Sequence, residues 1–204
     1  MAKVLFIPAK VKTKTNKQKI LQISKTLPKN IAIVYSIQFE DLAKDIKEIL
    51  SQKHKITKLT QVLGCTRLNI PKDTNAILLI GSGRFHAISL ALQTKLPVYI
   101  LEKDKLTQIS KDEIEFLQKK QKASYVKFLN EDKIGILIST KPGQQNLKKA
   151  IEFKNKLKDK KSYLFITNNI STNEFENFKI NSWVNTGCPR LDCDDSRIIN
   201  IDKL

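Results

Sequence analysis

The sequence predicts an α/β protein made of two similar, doubly wound parallel-sheet domains. Short runs such as NIAIVY, AILLI and GILIS are apolar at consecutive positions, as a strand covered on both faces requires. They alternate with amphipathic stretches of helical spacing, an order that lays strands parallel and puts helices across both faces of a sheet. A short string also recurs: GCTRLN at 64–69 returns as GCPRLD at 187–192, each copy after a strand-like run. This repeat predicts that Cys65 and Cys188 occupy equivalent places in two related units.

Taken in order, VLFIPA at 4–9 reads as a buried strand, and Ile20, Leu21, Ile23 and Leu27 space a helix over 16–27 that Pro28 ends. NIAIVYS is the next strand. Phe39, Leu42, Ile46, Ile49 and Leu50 then draw one apolar stripe along a helix whose other face is Glu and Lys. A weaker strand at 56–63 leads to Gly64 and Cys65, AILLIG at 76–81 is a buried strand, a helix follows at 86–93, and PVYILE at 97–102 closes the unit. The order then repeats. A long helix over 110–129 carries Ile114, Leu117, Tyr125 and Phe128 on its inner face, KIGILIST is a strand, and KPGQ at 141–144 is a turn. The helix at 145–158 is expected to bury Leu147, Ile151 and Leu157, and SYLFIT at 162–167 is the strand after it. The expected division is 1–28, a terminal strand and helix of a preceding domain outside this chain; 29–106, a middle domain; and 107–204, a C-terminal domain.

With 41% hydrophobic residues in 204, the chain has enough apolar material for real cores. No apolar run approaches the length that spans a bilayer, and MAKVLFIPAK lacks a signal peptide's apolar stretch, so a cytoplasmic location is expected. Three cysteines make no disulfide framework and fit free thiols or metal ligands better. The formal charge of +17 invites a nucleic-acid partner, yet Arg occurs only at 67, 84, 190 and 197, and scattered Lys lacks the bidentate fork of specific readout. No specific nucleic acid is therefore expected as partner.

Chemistry concentrates in a few places. A thiolate on a Gly-containing turn, free of a helix ladder, is placed to bind a soft metal or an iron–sulfur cluster, and Cys65 and Cys188 both have that setting. GSGRFH at 81–86 lies between a strand and a helix, where open α/β sheets bind ligands; it is neither a dinucleotide fingerprint nor a P-loop. KPGQ occupies the matching edge of the second unit. Asp192, Asp194 and Asp195 read as caps and surface charge or as a hard-cation site without the spacing of a calcium loop. His54 reads as a solvated side chain.

Four ordered strings, QVLGC at 61–65, GSGRFHAISLAL at 81–92, GILISTKPGQ at 135–144 and WVNTGCPRLDCDD at 183–195, resemble the diphthamide synthase family over the chain from about residue 30. The resemblance implies three-domain relatives in which each α/β domain gives one cysteine to a central four-iron, four-sulfur cluster. By it, Cys65 and Cys188 are the second and third of those ligands, and Gln38, Gly83, Arg84, His86, Gln144, Arg190 and Asp194 lie near an S-adenosylmethionine pocket. The implied activity is radical transfer of a 3-amino-3-carboxypropyl group from S-adenosylmethionine to a histidine of translation elongation factor two, with Arg190 placed to hold the methionine carboxylate. The resemblance departs in two ways: the first domain with its cysteine is not in this chain, and Cys193 stands where the pattern has an apolar residue. The expectation is a split enzyme whose missing ligand comes from a separate polypeptide or a homologous copy. The alternatives are a non-catalytic or electron-relay subunit, and a basic binding module of the translation machinery without a cluster.

Overall fold

A computed structural model describes residues 16–63 and 68–204, together with Leu5, Ile7 and residues 9–13. The chain divides into two compact units, Met1–Ile114 and Glu115–Leu204.

The first unit opens with helix α1 (Lys17–Ile23). Its cap Asn16 accepts the Lys19 N–H at 3.1 Å through the side-chain oxygen, satisfying one of the amides that a helix start leaves unpaired. Strand β1 (Asn30–Tyr35), helix α2 (Glu40–Leu50), β2 (Lys55–Gln61), β3 (Ala76–Ile80), helix α3 (Arg84–Thr94), β4 (Val98–Glu102) and β5 (Lys105–Gln108) follow. They form one sheet in the order β2-β1-β3-β4-β5, parallel throughout except for β5, which returns antiparallel on β4. The alternation of a strand's side chains divides its apolar run between two cores. Ile31, Ile33, Leu78 and Ile80 meet Ile20 of α1 and Ala43, Ile46 and Leu50 of α2, whereas Ala32, Val34, Ile77 and Leu79 meet Ala87, Leu90 and Ala91 of α3. Consecutive apolar residues are thus explained by helices on both faces.

Helix α4 (Lys111–Asn130) crosses the division. The second unit continues with β6 (Lys133–Ser139), helix α5 (Leu147–Lys156), β7 (Lys161–Thr167), a 3-10 stretch at Thr172–Phe178, β8 (Ser182–Asn185), the short helix α6 (Leu191–Asp194) and β9 (Ile198–Asn200). Its sheet runs β7-β6-β8-β9, all parallel. Ile134, Ile136, Ile138, Val184 and Ile199 face Phe128 of α4 and Ala150 of α5. On the other face Leu137, Trp183 and Ile198 pack with Phe175 and Ile180. Trp183 is fully buried, stacks on Phe175 at 4.1 Å between ring centroids, and donates its indole N–H to the Ile180 carbonyl at 3.0 Å.

Both sheets therefore share one plan. Counted along the chain within each unit, the strands lie second, first, third, fourth. That plan bears on the repeated string. Cys65 follows β2, an edge strand, whereas Cys188 follows β8, the third strand of its unit and a neighbour of the first. By strand order the segment corresponding to 187–192 is 81–86, after β3; residues 64–67, on which the expected equivalence of the two Gly-Cys strings rests, lie outside the described residues.

Other expectations shift locally. Leu5 and Ile7 are exposed, at 82% and 79%, and no strand is described for them; the remainder of the expected strand at 4–9 lies outside the described residues except Ala9. Leu147 and Ile151 are exposed at 37% and 41%, because α5 turns Ala150, Phe153 and Leu157 toward the sheet. Tyr125 is likewise exposed on α4, where Leu117 and Phe128 are the buried pair. His54 is half-buried, with Nδ1 2.9 Å from the Pro28 carbonyl oxygen.

Candidate functional site

In a parallel sheet of this order the chain leaves the first strand toward one edge and the third toward the other, so the two connections part at the strands' carboxyl ends and leave a crevice. In the first unit this switch point is flanked by the turn after β1, Ser36–Phe39, and the turn after β3, Gly81–Gly83. They touch. A side chain at Gly81, whose φ is 145°, would come within 3.3 Å of both Phe39 Cδ2 and Ser36 Oγ. A positive φ and two close neighbours together make any other residue strained there. Gly83 is similarly closed, since a Cβ would lie 2.4 Å from Nδ1 of His86.

Gln38, Gly83, Arg84 and His86 thus gather at the carboxyl edge of the first sheet, with Gln38 and Arg84 exposed and Gly83 and His86 half-buried. Residues 9–13 pass the same edge. Val11 donates its N–H to the Gln38 carbonyl at 2.9 Å, and Lys10 pairs with Asp41 and Glu40 at 2.9 and 3.1 Å. Arg84 is not left pointing into solvent. Its Nε–H and Nη2–H donate to Oε1 of Glu113 at 2.9 and 2.5 Å, and Oε2 of the same carboxylate accepts the N–H and O–H of Ser110 at 3.0 Å each. Ser110 Oγ in turn accepts the Glu113 N–H at 3.2 Å, so Ser110 and Glu113 form a capping box at the start of α4. Arg84 first, then the Ser110 amide, holds the Glu113 carboxyl below the usual carboxylate range.

In the second unit the switch point is flanked by the turn after β6, which carries Gln144, and the turn after β8, which carries Cys188. A Cβ at Gly187 would meet Ser139 Cβ at 3.3 Å and the Gln144 carbonyl at 3.9 Å, so these turns also lie against each other. Thr186 donates both its N–H and its hydroxyl to the Leu137 carbonyl, at 3.1 and 2.8 Å, and accepts from Asn146 Nδ2 at 2.6 Å. Gly187 donates its N–H to Asn185 Oδ1 at 2.9 Å, and Asn185 Nδ2 donates to the Cys188 carbonyl at 2.8 Å. Cys188 is half-buried, and Arg190, exposed, sits just before α6.

The residues after Cys188 are engaged structurally. Asp192 is 4% exposed and paired with Lys203. The thiol of Cys193 lies 3.4 Å from Oδ1 of Asp192, and its carbonyl accepts from Lys120 at 2.5 Å. Asp195 is bound by Arg197 at 2.7 Å; burial pushes its carboxyl up, and the hydrogen bonds and charge of Arg197 pull it further the other way, to a net lowering. These two aspartates are neutralised by cations of the chain itself. The side chain of Asp194, like Cys65, lies outside the described residues.

Among the described residues no group of three or more His, Cys, Asp or Glu side chains is placed to hold a metal ion. Of the two described thiols of the second unit, that of Cys193 lies against Asp192 and that of Cys188 stands on a turn whose backbone is already bonded. Such a donor suits iron–sulfur ligation completed by thiolates from elsewhere, and not a hard cation. Sequence reasoning passed over Glu113, Asn185, Asn200, Lys120 and Lys203. Only the first had a readable signal, the SKDE capping pattern at 110–113; the others act through partners distant in the chain.

Comparison with known proteins follows the fold. The family model for diphthamide synthesis proteins matches residues 1–198. A 2-(3-amino-3-carboxypropyl)histidine synthase of Pyrococcus horikoshii is 28% identical over 206 residues, covering 94% of this chain and 60% of the relative. The enzyme of the same name from Methanocaldococcus jannaschii is 30% identical over 207 residues, covering 95% and 57%. A crystal structure of Dph2 from Pyrococcus horikoshii superposes with a TM-score of 0.79 at 24% identity over 93% of this chain and 61% of that one. A second crystal structure of that protein, with a 4Fe-4S cluster, gives 0.78. The chain thus spans about 60% of the length of these relatives.

Proposed function

Since the chain belongs to the diphthamide synthesis protein family, we propose that it is part of a transferase moving the 3-amino-3-carboxypropyl group of S-adenosylmethionine to a histidine of translation elongation factor two. In this reading Cys65 and Cys188 are two thiolate ligands of a four-iron, four-sulfur cluster, and the third thiolate comes from outside residues 1–204. The observation that carries it is the setting of Cys188: a half-buried thiol at the carboxyl edge of the second sheet, on a turn locked by its own neighbours.

A bound cluster, held by Cys65 and Cys188 and once reduced, would supply the single electron that breaks a carbon–sulfur bond of the sulfonium. The chain's residues bind and orient the cosubstrate. Arg190 is assigned the methionine carboxylate, through the paired hydrogen bonds a guanidinium offers. Gln144 flanks Cys188 across the switch point, and Gln38, Gly83, Arg84, His86 and Asp194 complete the pocket in this reading. Gly83 lets the His86 imidazole lie against the turn, because a Cβ at 83 would fall 2.4 Å from Nδ1 of His86.

The test is anaerobic reconstitution with iron and sulfide, followed by assay with S-adenosylmethionine and elongation factor two, using the chain alone and with candidate partners. Transfer activity with a partner, lost on Cys65→Ala or Cys188→Ala, supports the reading; cluster absorption insensitive to both substitutions contradicts it.

A second reading, a non-catalytic or electron-relay subunit, is favoured by the engagement of Arg84 with Glu113. It predicts cluster formation without transfer activity, and normal support of a complete homologue by Arg84→Ala. A basic binding module predicts instead salt-sensitive association with RNA and no iron uptake.

A further inference from the structure

We propose that Asn185 and Asn200 are positioning residues for Cys188, a pair of buried carboxamides that fix the backbone of the turn presenting the thiol. The inference rests on Cys188 being a ligand and deepens that reading. The two asparagines are register partners at the carboxyl ends of the parallel strands β8 and β9. They are 2% and 6% exposed. Burying two amides at strand ends, beside Ile198 and Ile199, is costly unless each polar atom is satisfied, and here the satisfaction comes from the Cys188 turn.

Asn185 Oδ1 accepts the Gly187 N–H at 2.9 Å, while Asn185 Nδ2 donates to the Cys188 carbonyl at 2.8 Å and to Asn200 Oδ1 at 2.6 Å. Asn200 Nδ2 donates to the Pro189 carbonyl at 2.8 Å. Asn185 therefore spends both of its N–H donors and an acceptor, and rotating either amide by half a turn would set donor against donor. Residues 187, 188 and 189 each have a backbone polar group held by one of the two side chains. Pro189 brings a fixed φ and no N–H. The turn is thus locked before any ligand arrives, so metal binding by Cys188 does not have to bear the entropy of ordering it.

A purely structural pair, tying strand ends together, would need only the bond between the two amides. Three of the four bonds go instead to the turn. The distinguishing variant is Asn200→Asp, which keeps an oxygen for Asn185 Nδ2 and replaces the donor facing the Pro189 carbonyl with a repelling acceptor.

The experiment uses the full 204-residue chain without iron. Hydrogen exchange on the wild type should show the Gly187 amide exchanging well below the rate of exposed loop amides. In Asn200→Asp the iodoacetamide alkylation rate of Cys188, read by mass spectrometry, should change by about five- to tenfold, the fold-change that one lost hydrogen bond corresponds to. The rate at Cys193, whose carbonyl is held by Lys120, should stay the same and serves as internal reference. An unprotected Gly187 amide overturns the proposal even if the variant fails to fold. So does a folded variant in which Cys188 is unchanged or in which both cysteines shift together. After reconstitution, the variant should lose about tenfold or more in iron affinity, as disturbed supporting shells do. Failure of Cys188→Ala to affect iron uptake would defeat the ligand reading alone, leaving the alkylation result to judge the pair.

Discussion

At residue 135 a hydrogen stands where any other residue would carry a carbon, and Trp183 uses the space. Gly135 and Trp183 are register partners in β6 and β8, and a Cβ at 135 would lie 2.2 Å from Cε3 of the indole. Gly135→Ala should therefore destabilise the chain by about 1–3 kcal/mol or more through overpacking, read as a lower denaturant midpoint; an unchanged midpoint would show that the indole moves freely. Glu113 makes a second prediction. Its folded pKa is depressed, by Arg84 first and the Ser110 amide second, so its stabilising contribution is full above the unfolded carboxylate value of about 4.3 and is lost as pH falls through the lower folded value. Glu113→Gln should accordingly lower stability at neutral pH, and the gap from wild type should close as the solution is acidified. Because Arg84 is well exposed, solvent screening keeps this gap small. A gap that widens toward acid would contradict the assignment. At this scale the sequence showed which residues carry reactive groups, while their partners stayed hidden: nothing near Asp192 announces Lys203, and nothing in NTGC announces Asn200.

Helices and strands were more legible than their faces. The apolar runs at 30–35, 76–80 and 133–139 become central strands because a run that is apolar at every position can be satisfied only between two layers. Strand β5 was passed over since KLTQ is short and the hairpin turn before it holds Lys103 at φ 54° without a glycine to mark it. β9 has three residues, below the length at which a pattern is readable. In α5 the sequence offered Leu147 and Ile151 as inward residues, but it is the fully buried Ala150 that faces the sheet, packed among Ile134, Ile136 and Ile138 of β6. Ile151→Gln should change stability by no more than about 0.5 kcal/mol, and Ala150→Leu should cost about 1–3 kcal/mol. Thermal melts of the two variants check this; an equal loss in both would mean that the helix buries the other face.

For the molecule as a whole, the doubled plan of second, first, third, fourth strand places the turn bearing Gly83 and the turn bearing Cys188 at corresponding ends of their own sheets. The sequence hinted at the doubling through GCTRLN and GCPRLD, but a six-residue string carries no information about which strand precedes it, and the preceding strands are the edge strand β2 and the inner strand β8. The proposed chemistry depends on Cys65 and Cys188 serving one cluster together with a thiolate from beyond these 204 residues. The most direct test is anaerobic iron and sulfide reconstitution of wild type, Cys65→Ala and Cys188→Ala, each with a chain supplying the remaining cysteine, read by visible absorption and by electron paramagnetic resonance of the reduced sample. The account predicts a cluster signal in the wild type that is lost or altered in both variants. A wild type that takes up no iron in any combination, or a signal unchanged by both substitutions, would contradict it.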